Sequence, residues 1–406
     1  MRSLNNMFEN IEETEVTKKM TVDGITKIYP VYKVRIDQLY YNDQNDRIAT
    51  WISRYKADNN ISNFNDLNRE KYNDIIGNFI KQSNVKAFNN TLNNISAIGQ
   101  QEPAVILPDG RIIDGNRRFT CLRELSKENS KFNHLEAVII EKDIQNNKKE
   151  IKLLELYLQH GREERVDYNP IDKLVGVYND IEKNKLLTVD EYARNTGLSK
   201  PEVNKLLVRA RLMEEFLELI DMPEHFYIAR EWELDGPLAE IDTILKKVKS
   251  TEEKEELKNI IFTHLLMKPN TDMTRYVRNI KRLVDTPQFK EFIEEGKNQV
   301  EDVLEKFEET DHASVEFINN NVRSDESLKE EMSNTYDKYQ ERVKKRNTLN
   351  APKNQIEKAI EAINNIDPNI VIQLDDENHE MFLNKLNDLK ETISDFEKEV
   401  YGDAKH

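Results

Sequence analysis

The chain has 406 residues, 37% apolar, 33% charged and 8% aromatic, which is more than one hydrophobic core usually organises, so two or more domains are expected. A formal charge of −16 excludes a protein that coats nucleic acid over its whole surface but leaves room for a local basic face. The lone cysteine, Cys121, excludes a disulfide framework and a cysteine-built zinc site.

The first residues lack the apolar stretch of a secretory signal, and no run of about 18 apolar residues occurs, so no membrane partner is expected and the chain is read as cytoplasmic. In chain order, residues 1–27 are acidic and read as a loose leader. Ile28–Leu39 alternates between apolar and polar side chains, the pattern of a half-buried strand entering a short helix. Residues 40–101 are Asn-rich, with short helix candidates at Ile48–Tyr55 and Tyr72–Phe79; Asn favours turns over long regular elements.

Pro103–Leu107 reads as a strand, Pro108-Asp109-Gly110 as its turn and Arg111–Ile113 as the returning strand. A helix then starts at Asp114-Gly115-Asn116, and the strand candidate Leu135–Ile140 completes an α+β unit over residues 28–145. Beyond it the pattern is helical. Residues 146–222 hold Ile151–Gln159, a helix opened by Pro170 and a tight cluster over Leu187–Leu219. Residues 223–324 form a helical body, clearest from Ala239 to Phe307, whose chemistry is mute.

Residues 325–406 carry two apolar stripes. Leu328, Met332, Tyr336, Tyr339 and Val343 make one; Phe382, Leu386, Leu389, Ile393, Phe396 and Val400, spaced 4, 3, 4, 3 and 4, make the other. Pro352, a helix candidate at Gln355–Ile363 and the strand-like Ile370–Leu374 lie between. The stripes suit either an internal helical hairpin or self-association into a homodimer.

Asp114-Gly115-Asn116-Arg117-Arg118 is the most specific chemistry in the chain. Glycine after a strand lets a ligand approach the backbone, the first amides of a helix are free donors, and paired guanidiniums match phosphate oxygens. An ordinary turn followed by surface arginines would have the same sequence. There is no Gly-x-x-x-x-Gly-Lys loop and no Gly-x-Gly-x-x-Gly turn.

Gly99-Gln100-Gln101-Glu102-Pro103-Ala104-Val105, followed by Ile112-Ile113-Asp114-Gly115-Asn116-Arg117-Arg118-Phe119, resembles the N-terminal domain of ParB-like partition proteins, a fold shared with sulfiredoxin. Asp167-Tyr168-Asn169-Pro170 matches the Asn-Pro helix start that follows in that family. The resemblance implies an α+β ParB/sulfiredoxin-like domain followed by predominantly α-helical domains that include a helix-turn-helix. It also implies a site for CTP or another nucleoside triphosphate, with Mg2+, at Gly115, Asn116, Arg117 and Arg118. The family's Glu-Asn pair is absent: Gly161 and Arg162 fall at its place, and Gln159, His160 and Arg162 are the candidates to replace it. Cys121 lies one turn inside the helix and reads as core, unlike the reactive cysteine of sulfiredoxin.

Thr188–Arg211 reads as two helices about a tight turn. Thr188 with Glu191 forms a capping box, Gly197 supplies the turn, and Ser199 caps a second helix with Pro201 and Glu202 in its first turn. Small Ala193, Gly197 and apolar Val203 stand at helix-turn-helix spacing. Ser199, Lys200, Asn204, Lys205 and Arg209 are the candidate DNA contacts, although residues 186–212 carry five basic and three acidic side chains, a weak electrostatic footprint.

The sequence therefore points to a nucleotide-responsive DNA-binding homodimer, its base identity and its capacity for hydrolysis left open. Two alternatives stand beside it. One is a plasmid-, phage- or defence-associated adaptor for a protein partner with little NTPase activity. The other is a nuclease using a carboxylate-bound divalent ion near Asp114 and Glu102.

Overall fold

A computed structural model describes residues 8–143, 146–160, 169–309 and 313–402. The chain divides into two compact units, residues 1–337 and 338–406.

The first unit opens with a long hairpin, β1 (Glu12–Val22) and β2 (Ile25–Arg35). This corrects the loose leader: Asp23 and Gly24 take φ of 52° and 75°, the left-handed pair that a two-residue hairpin turn needs. Met20 and Val22 are buried on the sheet. Short β3 (Ala104–Ile106), β4 (Ile112–Asp114) and β5 (His134–Ile139) complete a five-stranded sheet in the order β1-β2-β5-β3-β4, with β3 parallel to β5 and the other pairs antiparallel.

Helices α1 (Ala49–Asp58), α2 (Arg69–Ser83) and α3 (Val85–Ile98) occupy the Asn-rich segment, which is more regular than its composition suggests. Two of the asparagines start helices, the side chains of Asn68 and Asn84 accepting from Lys71 N and Ala87 N, while others, such as Asn73 and Asn94, lie inside the helices. Helix α4 (Asn116–Ser126) follows β4. Ile76, Phe88, Ile95, Phe119 and Cys121 pack with Ala104, Ile106 and Ala137 in one core. Burial pushes the Cys121 thiol up to about 12, so it is a core side chain and not a nucleophile.

The opposite sheet face is covered by α5 (Lys148–His160), whose Ile151, Leu154 and Leu158 pack on Val105, Leu107, Ile113 and Val138, each worth about 1.5–3 kcal/mol of apolar transfer. Leu156 of the same helix joins Val177, Leu187, Tyr192, Ala193, Val203 and Leu207 in a second core. That core belongs to α6 (Pro170–Val177), α7 (Val189–Thr196) and α8 (Lys200–Leu219). One helix therefore closes the sheet and seats the helices beyond it.

Helices α9 (Phe226–Glu231), α10 (Asp235–Leu245), α11 (Thr251–Met267), α12 (Met273–Ile280), α13 (Gln288–Glu305) and the single turn α14 (Val315–Phe317) build the helical body. His264 is buried within it, held neutral by a pKa pulled down to about 4 by desolvation. Its Nδ1 lies 3.1 Å from the Tyr276 hydroxyl and its Nε2 3.4 Å from Gln299 Oε1. Arg323 donates from Nε to Leu266 O at 2.6 Å and lies 3.5 Å from the Trp232 ring centre, satisfying a carbonyl at the end of α11.

Helix α15 (Glu326–Asn364) is continuous through Pro352, so the proline does not separate two helices. Leu328, Met332, Tyr336, Tyr339 and Val343 are all buried, and Tyr336 stacks on Tyr276 with ring centres 3.9 Å apart. Leu328, Met332 and Tyr336 of this stripe are thus packed within the first unit, Tyr336 on the helical body. The expected strand at Ile370–Leu374 is also corrected. Pro368–Ile372 forms the short helix α16, since Asp367 caps its start by accepting from Asn369 N and Pro368 sits at its first position. Helix α17 (Asp376–Gly402) leaves Ile393, Phe396 and Val400 about half exposed, at 49%, 52% and 51%.

Candidate functional site

The turn from β4 into α4 is built on Gly115. Its φ is 106°, and a Cβ there would lie 2.7 Å from Ala104 Cβ, so only glycine lets this turn pack against β3. Gly115 occupies the capping position with no side-chain bond to the helix start, leaving the first amides of α4 as free donors. These amides open onto a cavity of about 510 Å3, lined by Asn116, Arg117 and Arg118 and by Arg47, Thr91, Asn94, Gln101, Glu102 and Gln159.

The structure thus brings Gly115, Asn116, Arg117, Arg118 and Gln159 to one cavity. Arg118 donates to Asp114 at 3.0 Å while its Nε is buried without a hydrogen-bond partner, as is Asn116 Oδ1. Burial, and then the positive charge of Arg47, hold the Arg117 guanidinium below its usual pKa. An anion between the two arginines would give Arg118 Nε an acceptor and offset the desolvation of the Arg117 guanidinium. The side chain of His160 and all of Arg162 lie outside the described residues.

Arg47 was not apparent from sequence. It sits in a turn opened by Asn45, whose side chain accepts from Arg47 N at 3.1 Å. The neighbouring Asp46 is buried against Lys152 of α5, with Nζ to Oδ1 3.1 Å, and this fixes the turn beside the cavity. The one local signal was Asn-Asp-Arg as a capped start. The side of the cavity formed by α2 and α3, including Ser83, Thr91 and Asn94, was missed because that segment read as turns.

Lys152 also faces Asp180 at 3.4 Å and Glu155 at 3.8 Å. Three carboxylates around one ammonium cannot all be neutralised. Burial pushes Glu155 up to about 7 and Asp180 up to about 8, while the surrounding carboxylates raise Lys152 against the opposing effect of its own burial. Gly176 makes room for this cluster, since a Cβ there would lie 2.7 Å from Asp46 Cγ. Nearby, Asp172 accepts from Thr50 N at 3.0 Å and Arg230 at 3.2 Å. Burial raises its carboxyl to about 6.

Helices α7 and α8 meet at Gly197, φ 71°, and both starts carry full capping boxes, Thr188 with Glu191 and Ser199 with Glu202. Ala193 and Val203 are buried between them. Ser199, Lys200, Asn204 and Lys205 are exposed, so the structure leaves these four at the surface. Lys200 is 2.8 Å from Asp190, and Arg209 is half-buried with its Nε unpartnered. Among the described residues no group of three or more His, Cys, Asp or Glu could hold a metal ion, and no helix is long and apolar enough to cross a membrane.

No protein-family model and no curated protein matches the sequence. Several solved chains are similar, two of them ParB proteins. The C-terminally truncated chromosome-partitioning protein ParB from Caulobacter crescentus, complexed with CTP-gamma-S, is 15% identical, covers 52% of this chain and 91% of its own, and has a TM-score of 0.19. A Pnob8-like ParB-N domain is 12% identical, covers 70% of this chain and 99% of its own, and has a TM-score of 0.32.

Proposed function

We propose that this chain is a nucleotide-responsive, ParB-like DNA-binding protein whose first domain takes a nucleoside triphosphate in the cavity at the start of α4. The convergence of Arg47, Arg117 and Arg118 on a helix start with free amides carries the reading. A triphosphate has the charge to match three guanidiniums and the oxygens to accept from the amides. CTP is the expected base on the sequence resemblance, since arginines address phosphates and not bases.

Helix α5 supplies the route from nucleotide to DNA. Gln159 lines the cavity, Leu158 packs on the sheet and Leu156 packs on the core beneath α7 and α8. A shift of α5 on ligand binding would be felt by the proposed helix-turn-helix, provided the nucleotide contacts one position of α5 better than the other. The exposed stripe of α17 serves association of two copies. Among the described residues no group of three or more His, Cys, Asp or Glu is assembled for Mg2+, and no step is assigned to it.

A second reading replaces DNA with a protein partner and makes the chain an adaptor with little NTPase activity. The Lys200–Asp190 pair, which neutralises a candidate phosphate contact, favours it. Titrating nucleotide with and without duplex DNA, with phosphate release followed in parallel, separates the readings. Nucleotide-dependent DNA binding supports the switch, and nucleotide binding with no effect on DNA supports the adaptor.

A further inference from the structure

Asp46, Lys152, Glu155 and Asp180 are all buried, yet they come from three elements: the turn before α1, helix α5 and the wide π turn Tyr178–Lys183 that follows α6. Their hydrogen bonds do not balance. A lysine ammonium has three hydrogens, and Lys152 Nζ directs its own at Asp46 Oδ1 and Oδ2, 3.1 and 3.2 Å away, and at Gln44 O, 3.5 Å away. Glu155 draws its donors from side-chain amides instead, Asn42 Nδ2 at 3.3 Å and Gln159 Nε2 at 3.0 Å. Asp180 Oδ2 lies 3.4 Å from the ammonium and is buried without a hydrogen-bond partner. With one cation set against three carboxylates, a proton belongs on the Glu155–Asp180 pair.

The same groups reach both the nucleotide cavity and the helices beyond it. Gln159, one turn along α5 from Glu155, lines the cavity, as does Arg47, which follows Asp46 and adds a positive charge facing Glu155. On the far side the carbonyl of Asp180 accepts from Leu186 N at 2.9 Å and Leu187 N at 3.0 Å, in the segment that leads into α7. Wide turns of this kind recur at functional sites. Other charges on the packed elements have partners: Asp172 of α6 with Arg230 at 3.2 Å, Lys149 of α5 with Glu191 of α7 at 2.6 Å, Glu182 of the π turn with Arg211 of α8 at 2.8 Å, and Lys183 of that turn with Glu224.

We infer that this cluster makes nucleotide binding proton-linked: a triphosphate in the cavity competes with Glu155 for the Gln159 amide and, by its negative charge, drives a proton from solvent onto the Glu155–Asp180 pair. The inference rests on the nucleotide reading of the cavity. Losing an amide donor and gaining a nearby anion both disfavour an ionised carboxylate, so the complex holds more protons than the free protein. Affinity therefore rises as pH falls through the region near 7 and 8, the values to which burial pushes Glu155 and Asp180.

Calorimetry of CTP, ATP, GTP and UTP binding to the full chain at about pH 7.8, in buffers of different ionisation enthalpy, counts the protons exchanged. A terminal phosphate with a pKa near 6 is already ionised there and has no proton to release. The wild type should take up about half a proton or more per nucleotide, with affinity falling about threefold per pH unit in this region. Asp180→Asn should cut the uptake by about half or more, and Glu155→Gln/Asp180→Asn, which leaves Lys152 with one carboxylate, should reduce it to about zero and flatten the pH profile. A wild type that binds without uptake, or a folded double variant with unchanged uptake, would overturn the inference and leave the nucleotide reading standing. A wild type that binds none of the four would overturn both. Should the variants fail to fold, the wild-type proton count decides, checked against the slope of its affinity with pH.

Discussion

Gln159 donates from Nε2 to Glu155 Oε1 at 3.0 Å, and this bond joins the wall of the candidate nucleotide cavity to the buried charge cluster beneath it. Glu155 shares Lys152 with Asp46 and Asp180. Asp46 adjoins Arg47, which returns to the cavity. The phosphate-facing turn and the helix α5 that leads toward α7 and α8 therefore rest on the same ammonium.

Lys152→Met should destabilise the first unit by about 3–5 kcal/mol, because it leaves Asp46, Glu155 and Asp180 buried without their cation. Thermal unfolding checks this. A melting temperature within a degree or so of wild type would mean that the cluster is hydrated and contributes little.

Stability should fall as pH rises from about 4 to about 8. Unfolded carboxyls titrate near 4, whereas folded Asp172, Glu155 and Asp180 titrate near 6, 7 and 8. Between those values the native state holds more protons, so unfolding becomes easier with each step upward. Asp180→Asn should flatten the upper part of that dependence. Melting curves from pH 5 to 8 that are flat, or rise toward 8, would contradict the assignment.

Gly115→Ala should weaken both packing and ligand binding, since a φ of 106° is strained for alanine and its Cβ would meet Ala104 Cβ at 2.7 Å. A loss of about 1–3 kcal/mol is expected. Wild-type stability would show that the turn relaxes without cost.

The strand-to-helix turn at Asp114–Arg118 was legible because its signals are local: a glycine, a helix start and paired arginines in five residues. Arg47 was not, because what places it is Asp46 meeting Lys152 more than a hundred positions away. The Asn-rich segment was read as turns because asparagine favours caps and turns alike, and which one forms depends on the apolar face that follows. The leader escaped notice because β1 is an edge strand, exposed enough to be polar along most of its length. Ile370–Leu374 misled in the other direction: its β-branched residues suggest a strand, but Asp367 and Pro368 start a helix.

The tail makes a separate claim. Leu386→Ser/Leu389→Ser/Ile393→Ser should weaken self-association, each fully buried side chain contributing about 1.5–3 kcal/mol. Sedimentation equilibrium reads this, and a wild-type protein that remains monomeric at tens of micromolar would remove the dimer from the account.

Calorimetric titration of CTP, ATP, GTP and UTP into the wild type and Arg117→Ala/Arg118→Ala tests the central claim most directly. Bonds to charged groups are worth about 1.5–3 kcal/mol each, so the wild type should bind at least one triphosphate and the folded double variant should bind it about a hundredfold or more weakly. Equal affinity in the two proteins, or a wild type that binds none of the four, would contradict it.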